Sequence, residues 1–110
     1  MILDQFKNNP DAIEFSDVID FIDENYEFKP VQFSNGKLIN EIDENNGSCK
    51  IFSFSKLHSF SKEQTLALFG KFYRVDVLQN PNGIDHQNIR NFMEFGWSEI
   101  KFSNEALVKK

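Results

Sequence analysis

Residues 61–78 read SKEQTLALFGKFYRVDVL, and the fold turns on whether they form one helix. Ser61 and Gln64 stand at the spacing of a capping box, in which each residue bonds the other's backbone N–H and so fixes a helix start. Leu66, Phe69, Tyr73 and Val77 follow as one apolar stripe, with Leu68, Phe72 and Val75 as a second. A helix that is apolar on two sides belongs inside the molecule. The sequence therefore predicts a central, largely buried helix over 61–78. Gly70 lies within it and costs about 1 kcal/mol relative to Ala at such a position. Its presence there implies that another element comes close.

Outward from this stretch, the N-terminal side holds a regular pattern. Ile2, Leu3 and Phe6 define a short helix over residues 2–8. Asn9-Pro10 is a restart signal, with Asn as cap and Pro at the first helical position. Phe15, Val18, Ile19, Ile22 and Tyr26 recur on one face of a helix over residues 10–26, and Asp17, Asp20, Glu24 and Glu27 lie on another. Pro30 biases Lys29 away from helical backbone and ends that helix. Asn35-Gly36 is a favoured pair for a tight turn, so residues 31–40 read as a two-stranded hairpin. Residues 40–48 form a polar loop. In the stretch Cys49–Leu57, Phe52 and Phe54 alternate with serines as in a strand. Ile51, Phe54 and Leu57 fit a helical stripe with Ser48 as cap, and the helix is the reading adopted.

On the C-terminal side, Asn80-Pro-Asn-Gly83 is a turn. Asp85 caps a helix over 85–95 that points Ile89, Phe92 and Met93 inward, and Gly96 stands where a helix C-terminal glycine belongs. Trp97–Phe102 reads as a short strand, and residues 104–108 as a last turn. The expected fold is mainly α, an α+β arrangement with a small β hairpin, in which about five helices pack as a compact bundle around a core rich in Phe. Thirteen of the 110 residues are Phe, and each one buried contributes about 1.5–3 kcal/mol. Neither a repeat nor a low-complexity linker interrupts residues 1–110, which read as one domain of ordinary size.

The formal net charge of −5 is unevenly placed. Residues 1–50 hold eleven acids against four bases, a net of −7, while residues 51–110 hold six against eight, a net of +2. Nucleic-acid binding requires several phosphates to be neutralised, and no dense basic patch offers this. Anionic membrane surfaces are disfavoured on the same ground. No apolar run approaches the ~20 residues of a membrane-spanning helix, and the first residues are too polar for a signal-peptide core. The expected address is the cytoplasm of the producing cell, and the expected state a monomer. Cys49 is the one cysteine, so no intramolecular disulfide forms.

Two candidate sites follow. A thiol at a helix start has its pKa lowered by the helix dipole. Cys49 with His86, oriented by Asn88, thus has the composition of a nucleophilic dyad. Asn91 and Asp85 are alternative orienting groups, and Lys50 adds positive charge. The second candidate is a polar surface in which Asn40, Glu41, Asn45, Ser48 and Lys50 on one loop meet Arg90 and Asn91, beside His86 and Asn88, on the late helix. Amides that are partly buried need partners, so this set either binds a small polar ligand or a protein, or pins irregular backbone to the core. No metal or other cofactor is expected. His58 and His86 have no ligand spacing, and in Asp43–Ser48 the glycine falls one position early for a calcium loop, with Phe54 in place of the bidentate acid. The acids of the helix over 10–26 read first as a solvated face and second as a surface for a basic partner.

Four segments resemble one known family. They are Phe28-Lys-Pro30-Val-Gln-Phe33-Ser-Asn35-Gly36; Asn40-Glu41 with Asn45-Asn-Gly-Ser-Cys-Lys-Ile-Phe52; Gln64-Thr-Leu66 through Phe69-Gly70, Tyr73-Arg74 and Asp76-Val-Leu78; and His86-Gln-Asn-Ile-Arg-Asn-Phe92 with Gly96-Trp97. Together they are similar to the HopJ type III effector proteins from about residue 10 to residue 107. The resemblance implies a bacterial protein and, through the family's name, delivery by type III secretion. It implies no defined biochemical activity. The chain departs from the family at Ile42-Asp-Glu44, where the family usually has an Ala-Gly step. The reading adopted is a non-catalytic binding or interaction module. The alternatives are a cysteine-dependent hydrolase or transferase using Cys49 and His86, and a housekeeping protein whose relatives were recruited as effectors.

Overall fold

The computed structural model describes residues 4, 6, 8, 9 and 12–110. The expected helix over 2–8 and the restart at Pro10 fall mostly or wholly outside these. The apolar repeat of the first half winds into α1 (Phe15–Asn25), with Val18 and Ile22 fully buried and Asp17, Asp20 and Glu24 exposed. The helix ends a residue earlier than its periodicity implies, because Tyr26 is extended and opens β1 (Tyr26–Phe28). Tyr26 stays buried all the same, so the apolar pattern continues through a change of backbone.

The Asn35-Gly36 turn forms as expected. It joins β2 (Phe33–Asn35) to β3 (Leu38–Asn40), and Gly36 has φ +63°, a value that glycine adopts without penalty. The hairpin is one part of a larger sheet. β4 (Ile100–Phe102) pairs antiparallel with the far side of β2, giving the order β3-β2-β4. A second, two-stranded sheet pairs β1 with β5 (Leu107–Lys109), where a terminal turn was expected. Between the 85–95 region and β4 lies a 3-10 turn (Gly96–Glu99), so the strand expected over 97–102 is confined to its last three residues.

The central element is α2 (Asn46–Leu57). Cys49 and every residue from Ile51 to Ser55 are buried. The serines explain why this stretch imitates a strand: Ser53 and Ser55 are small and sit inside with the phenylalanines, so burial runs all round the helix. Phe52 faces Phe33, Phe69, Phe92 and Trp97, with ring centroids 6.1, 5.5, 4.9 and 6.4 Å away. Phe54 faces Phe6, Phe21, Tyr26 and Phe60. Two aromatic clusters thus flank one helix, and such ring pairs add about 0.5–1.5 kcal/mol each beyond their burial.

The long helix over 61–78 does not exist. The capping box does: Gln64 N donates to Ser61 Oγ at 3.1 Å, and Ser61 N donates to Gln64 Oε1 at 2.9 Å. It starts α3, which covers only Lys62–Ala67. Gly70 then takes φ +60° and breaks the helix, and a π-helical turn (Phe72–Val77) follows. The reason is the close approach that the glycine implies. A Cβ at Gly70 would stand 2.8 Å from Phe15 N and 3.2 Å from Ile13 O. The last helix, α4 (Gln87–Phe95), ends at Gly96 with φ +67° as its sequence implies. The Cα radius of gyration is 13.0 Å, the value of a well-packed chain of this length. Among the described residues no helix is long and apolar enough to cross a membrane.

Candidate functional site

The caps of α2 and α4 are Asn45 and His86, not Ser48 and Asp85 as the sequence implied. Both are left-handed, with φ of 52° and 51°. For a residue with a Cβ that conformation costs roughly 1–2 kcal/mol, least for Asn. Neither side chain bonds its own first turn. The first turn of any α-helix presents N–H groups without intrahelical partners. Both of these turns open on one cleft of about 450 Å³. Its apolar surface comes from Phe15, Leu38, Phe69, Phe72 and Ile89, and its polar surface from Asn45, Ser48, His86, Gln87 and Asn88. Gly47 lets Phe15 in: a Cβ there would lie 2.9 Å from the Phe15 ring.

Behind the cleft stands a buried amide network. Asn40 and Asn88 form a reciprocal pair. Asn40 Nδ2 donates to Asn88 Oδ1 at 3.0 Å, and Asn88 Nδ2 donates to Asn40 Oδ1 at 2.9 Å. Asn45 Nδ2 adds a bond to Asn40 Oδ1 at 2.7 Å. Asn35 Nδ2 donates to Asn88 O at 2.7 Å and Oδ1 at 3.1 Å, and Asn91 Nδ2 donates to Asn35 O at 3.1 Å. The network ties the β2-β3 hairpin to the start of α4. Asn35, Asn40 and Asn88 are all buried, where an amide without partners is costly.

His86 is held from two directions by the π-helical turn. Its ring lies over Phe72, with centroids 5.1 Å apart and planes at 31°. Its Nε2 is 3.0 Å from Asp76 Oδ2 and 3.8 Å from Asp85 Oδ2. Asp85 has a stronger commitment elsewhere. The Arg90 guanidinium hydrogen-bonds it at 2.7 Å and holds its carboxyl below the usual carboxylate range.

Cys49 faces inward and is 1% exposed. Burial pushes its thiol pKa up, against smaller opposing contributions from the Ser53 hydroxyl and the Val31 backbone. Its polar neighbours are therefore Ser53 and Val31, while those of His86 are Asp76 and Asp85. Asn88 is committed to Asn35 and Asn40. The remaining sequence candidates also have occupations. Lys50 Nζ lies 2.8 Å from Asp23 Oδ1 and over the Phe28 ring, on the side of α1. Glu41 accepts from Gln32 Nε2 at 2.8 Å. Arg90 also donates to Asn80 O and Asp85 O, clamping the turn before α4. The structure thus gathers Asn45, Ser48, His86 and Asn88 at one cleft with Asn40 behind it, and sends Cys49, Glu41, Lys50 and Arg90 elsewhere. Sequence reasoning missed the apolar half of the cleft and Asp76. The four-residue step from Phe72 to Asp76 was the available signal, obscured by assigning both to a buried straight helix.

The fold class is α+β, helices with two small antiparallel sheets. Residues 1–107 match the family described as HopJ type III effector protein, and the chain belongs to that family. The crystal structure of VPA0580, a protein of unknown function, has the same fold: TM-score 0.97 at 51% sequence identity, covering 99% of this chain and 91% of that one. No curated protein matches the chain significantly.

Proposed function

We propose that this protein is a non-catalytic binding module that takes a segment of a partner protein into the cleft between the first turns of α2 and α4. The observation that carries the reading is the make-up of that cleft: an aromatic and aliphatic floor bordered by helix turns rich in N–H donors, which suits an apolar side chain with its neighbouring peptide carbonyls. Fixed amide partners behind it keep the walls in place before anything binds, and pre-organisation of this kind reduces the entropic cost of association. Phe72, Val75, Leu78 and Ile84 are all exposed on the π-helical turn and the loop after it, which adds apolar surface on that side. Single-turn π-helices are frequent at functional sites. The inward thiol with its raised pKa gives no support to cysteine chemistry.

A photo-crosslinking amino acid placed at Gln87 on the rim tests this in producing cells and, given the family's description, in cells that receive translocated protein. The expected outcome is a discrete adduct from Gln87 that disappears with Phe72→Asp, and none from the same group placed at Glu105. Adducts that are absent, or that ignore Phe72→Asp, reject the cleft as the binding surface.

A further inference from the structure

We infer that His86 is the residue that reads the ligand in this cleft, by accepting a hydrogen bond from a peptide N–H at its Nδ1. The inference rests on the cleft being the binding surface and adds the chemistry of recognition. The π-helical turn supplies both restraints on the imidazole: Phe72 lies beneath the ring at 5.1 Å, and Asp76 meets its Nε2 at 3.0 Å. A carboxylate only accepts, so the Nε2 facing it carries the proton. In the neutral ring that leaves Nδ1 with a bare lone pair. Asp85, the other acid near the ring, meets the same nitrogen at 3.8 Å and is already bonded to Arg90. Within the described residues Nδ1 has no hydrogen-bond partner, while the residue itself lines the cleft beside Phe72 and Ile89. Among the described residues that line the cleft, His86 is the one histidine.

The ligand that matches is therefore one with an N–H next to an apolar group, the two features of a peptide main chain carrying a large aliphatic or aromatic side chain. Carbonyl groups alone would satisfy the helix turns and leave His86 without a donor. Asp76 is a positioning residue here, since it touches the imidazole and not the ligand.

The probe is N-acetyl-leucine N-methylamide. It is compared with its fully N-methylated analogue, which keeps the carbonyls and the isobutyl group and has no N–H. Imidazole nitrogen spectra of labelled protein at about pH 8 report the tautomer and the ligand contact together. The expected result is an Nε2–H tautomer whose Nδ1 resonance moves when the amide probe is added, with binding about threefold to tenfold weaker for the methylated analogue, the range of one net hydrogen bond. His86→Gly, which accepts the positive φ, should abolish that difference, and Asp76→Asn should weaken the tautomer preference while Phe69 and Ile89 still respond to the probe. An Nδ1–H tautomer, a ring still doubly protonated at that pH, or equal binding of the two probes overturns the role of His86. If Leu38, Phe69 and Ile89 respond in those cases, the cleft survives as a binding surface. If no cleft resonance responds to either probe, both readings fall.

Discussion

Asn88 shows how much one side chain holds in place. It is the shared partner of Asn35 and Asn40, and a leucine would fill its space while pairing with neither. Asn88→Leu is expected to cost about 2–4 kcal/mol, from two buried amides each losing a partner, and chemical denaturation would read it as a shift in midpoint at unchanged slope. Cys49 offers a test with a sign. Burial raises its pKa in the folded state, so folded protein keeps the proton longer than unfolded chain. The stability linked to this thiol is intact below the unfolded value of ~8.5 and is lost as pH rises toward the folded value. Cys49→Ala should remove that part of the alkaline decline, and iodoacetamide should react with native wild type only as it unfolds. These residues were legible in composition but not in role. The sequence shows that Asn40, Asn45, Asn88 and Asn91 are polar and unusual; it cannot show that the two bonds between Asn40 and Asn88 cross from a hairpin to a helix 48 positions away.

Among the elements, the broken helix after Ala67 is the sharpest case. Were 61–78 one straight helix, Gly70→Ala would stabilise by about 1 kcal/mol. With φ at +60° and the Phe15 backbone 2.8 Å from the added carbon, it is expected instead to destabilise by about 2–4 kcal/mol, combining the left-handed cost with overpacking. Thermal unfolding distinguishes the two by direction alone. Ser61→Ala should cost about 1 kcal/mol through the lost cap, a local effect that needs no long helix. The glycine, the capping box and the hairpin turn were readable because each is a short-range steric or hydrogen-bonding rule. The identity of the central helix was not. Buried serines in α2 removed the amphipathic contrast that periodicity depends on, and the two apolar stripes of 61–78 belong to two pieces with different helical pitch.

At the scale of the whole molecule, the pairings that complete the two sheets are what the sequence left out. Strands of three residues carry almost no periodic signal, and both unforeseen pairings, β2 with β4 and β1 with β5, join distant parts of the chain. Leu107 is buried in the second of these. Leu107→Ala should cost about 2–5 kcal/mol, while a threonine at the exposed Val108 should fall within about 0.5 kcal/mol of wild type. The same pairing sets an order of events in the making of the protein. The first residue of β1, Tyr26, pairs with Lys109 of β5, and just beyond them Lys110 Nζ reaches Asp23 O in α1, 87 positions away in the chain. On a translating ribosome α1 and α2 emerge early, but β1 has no partner until residues 107–109 have been added. Closing so long a loop is slow relative to local folding, so the nascent chain carries an open strand edge until β5 has emerged to seal it.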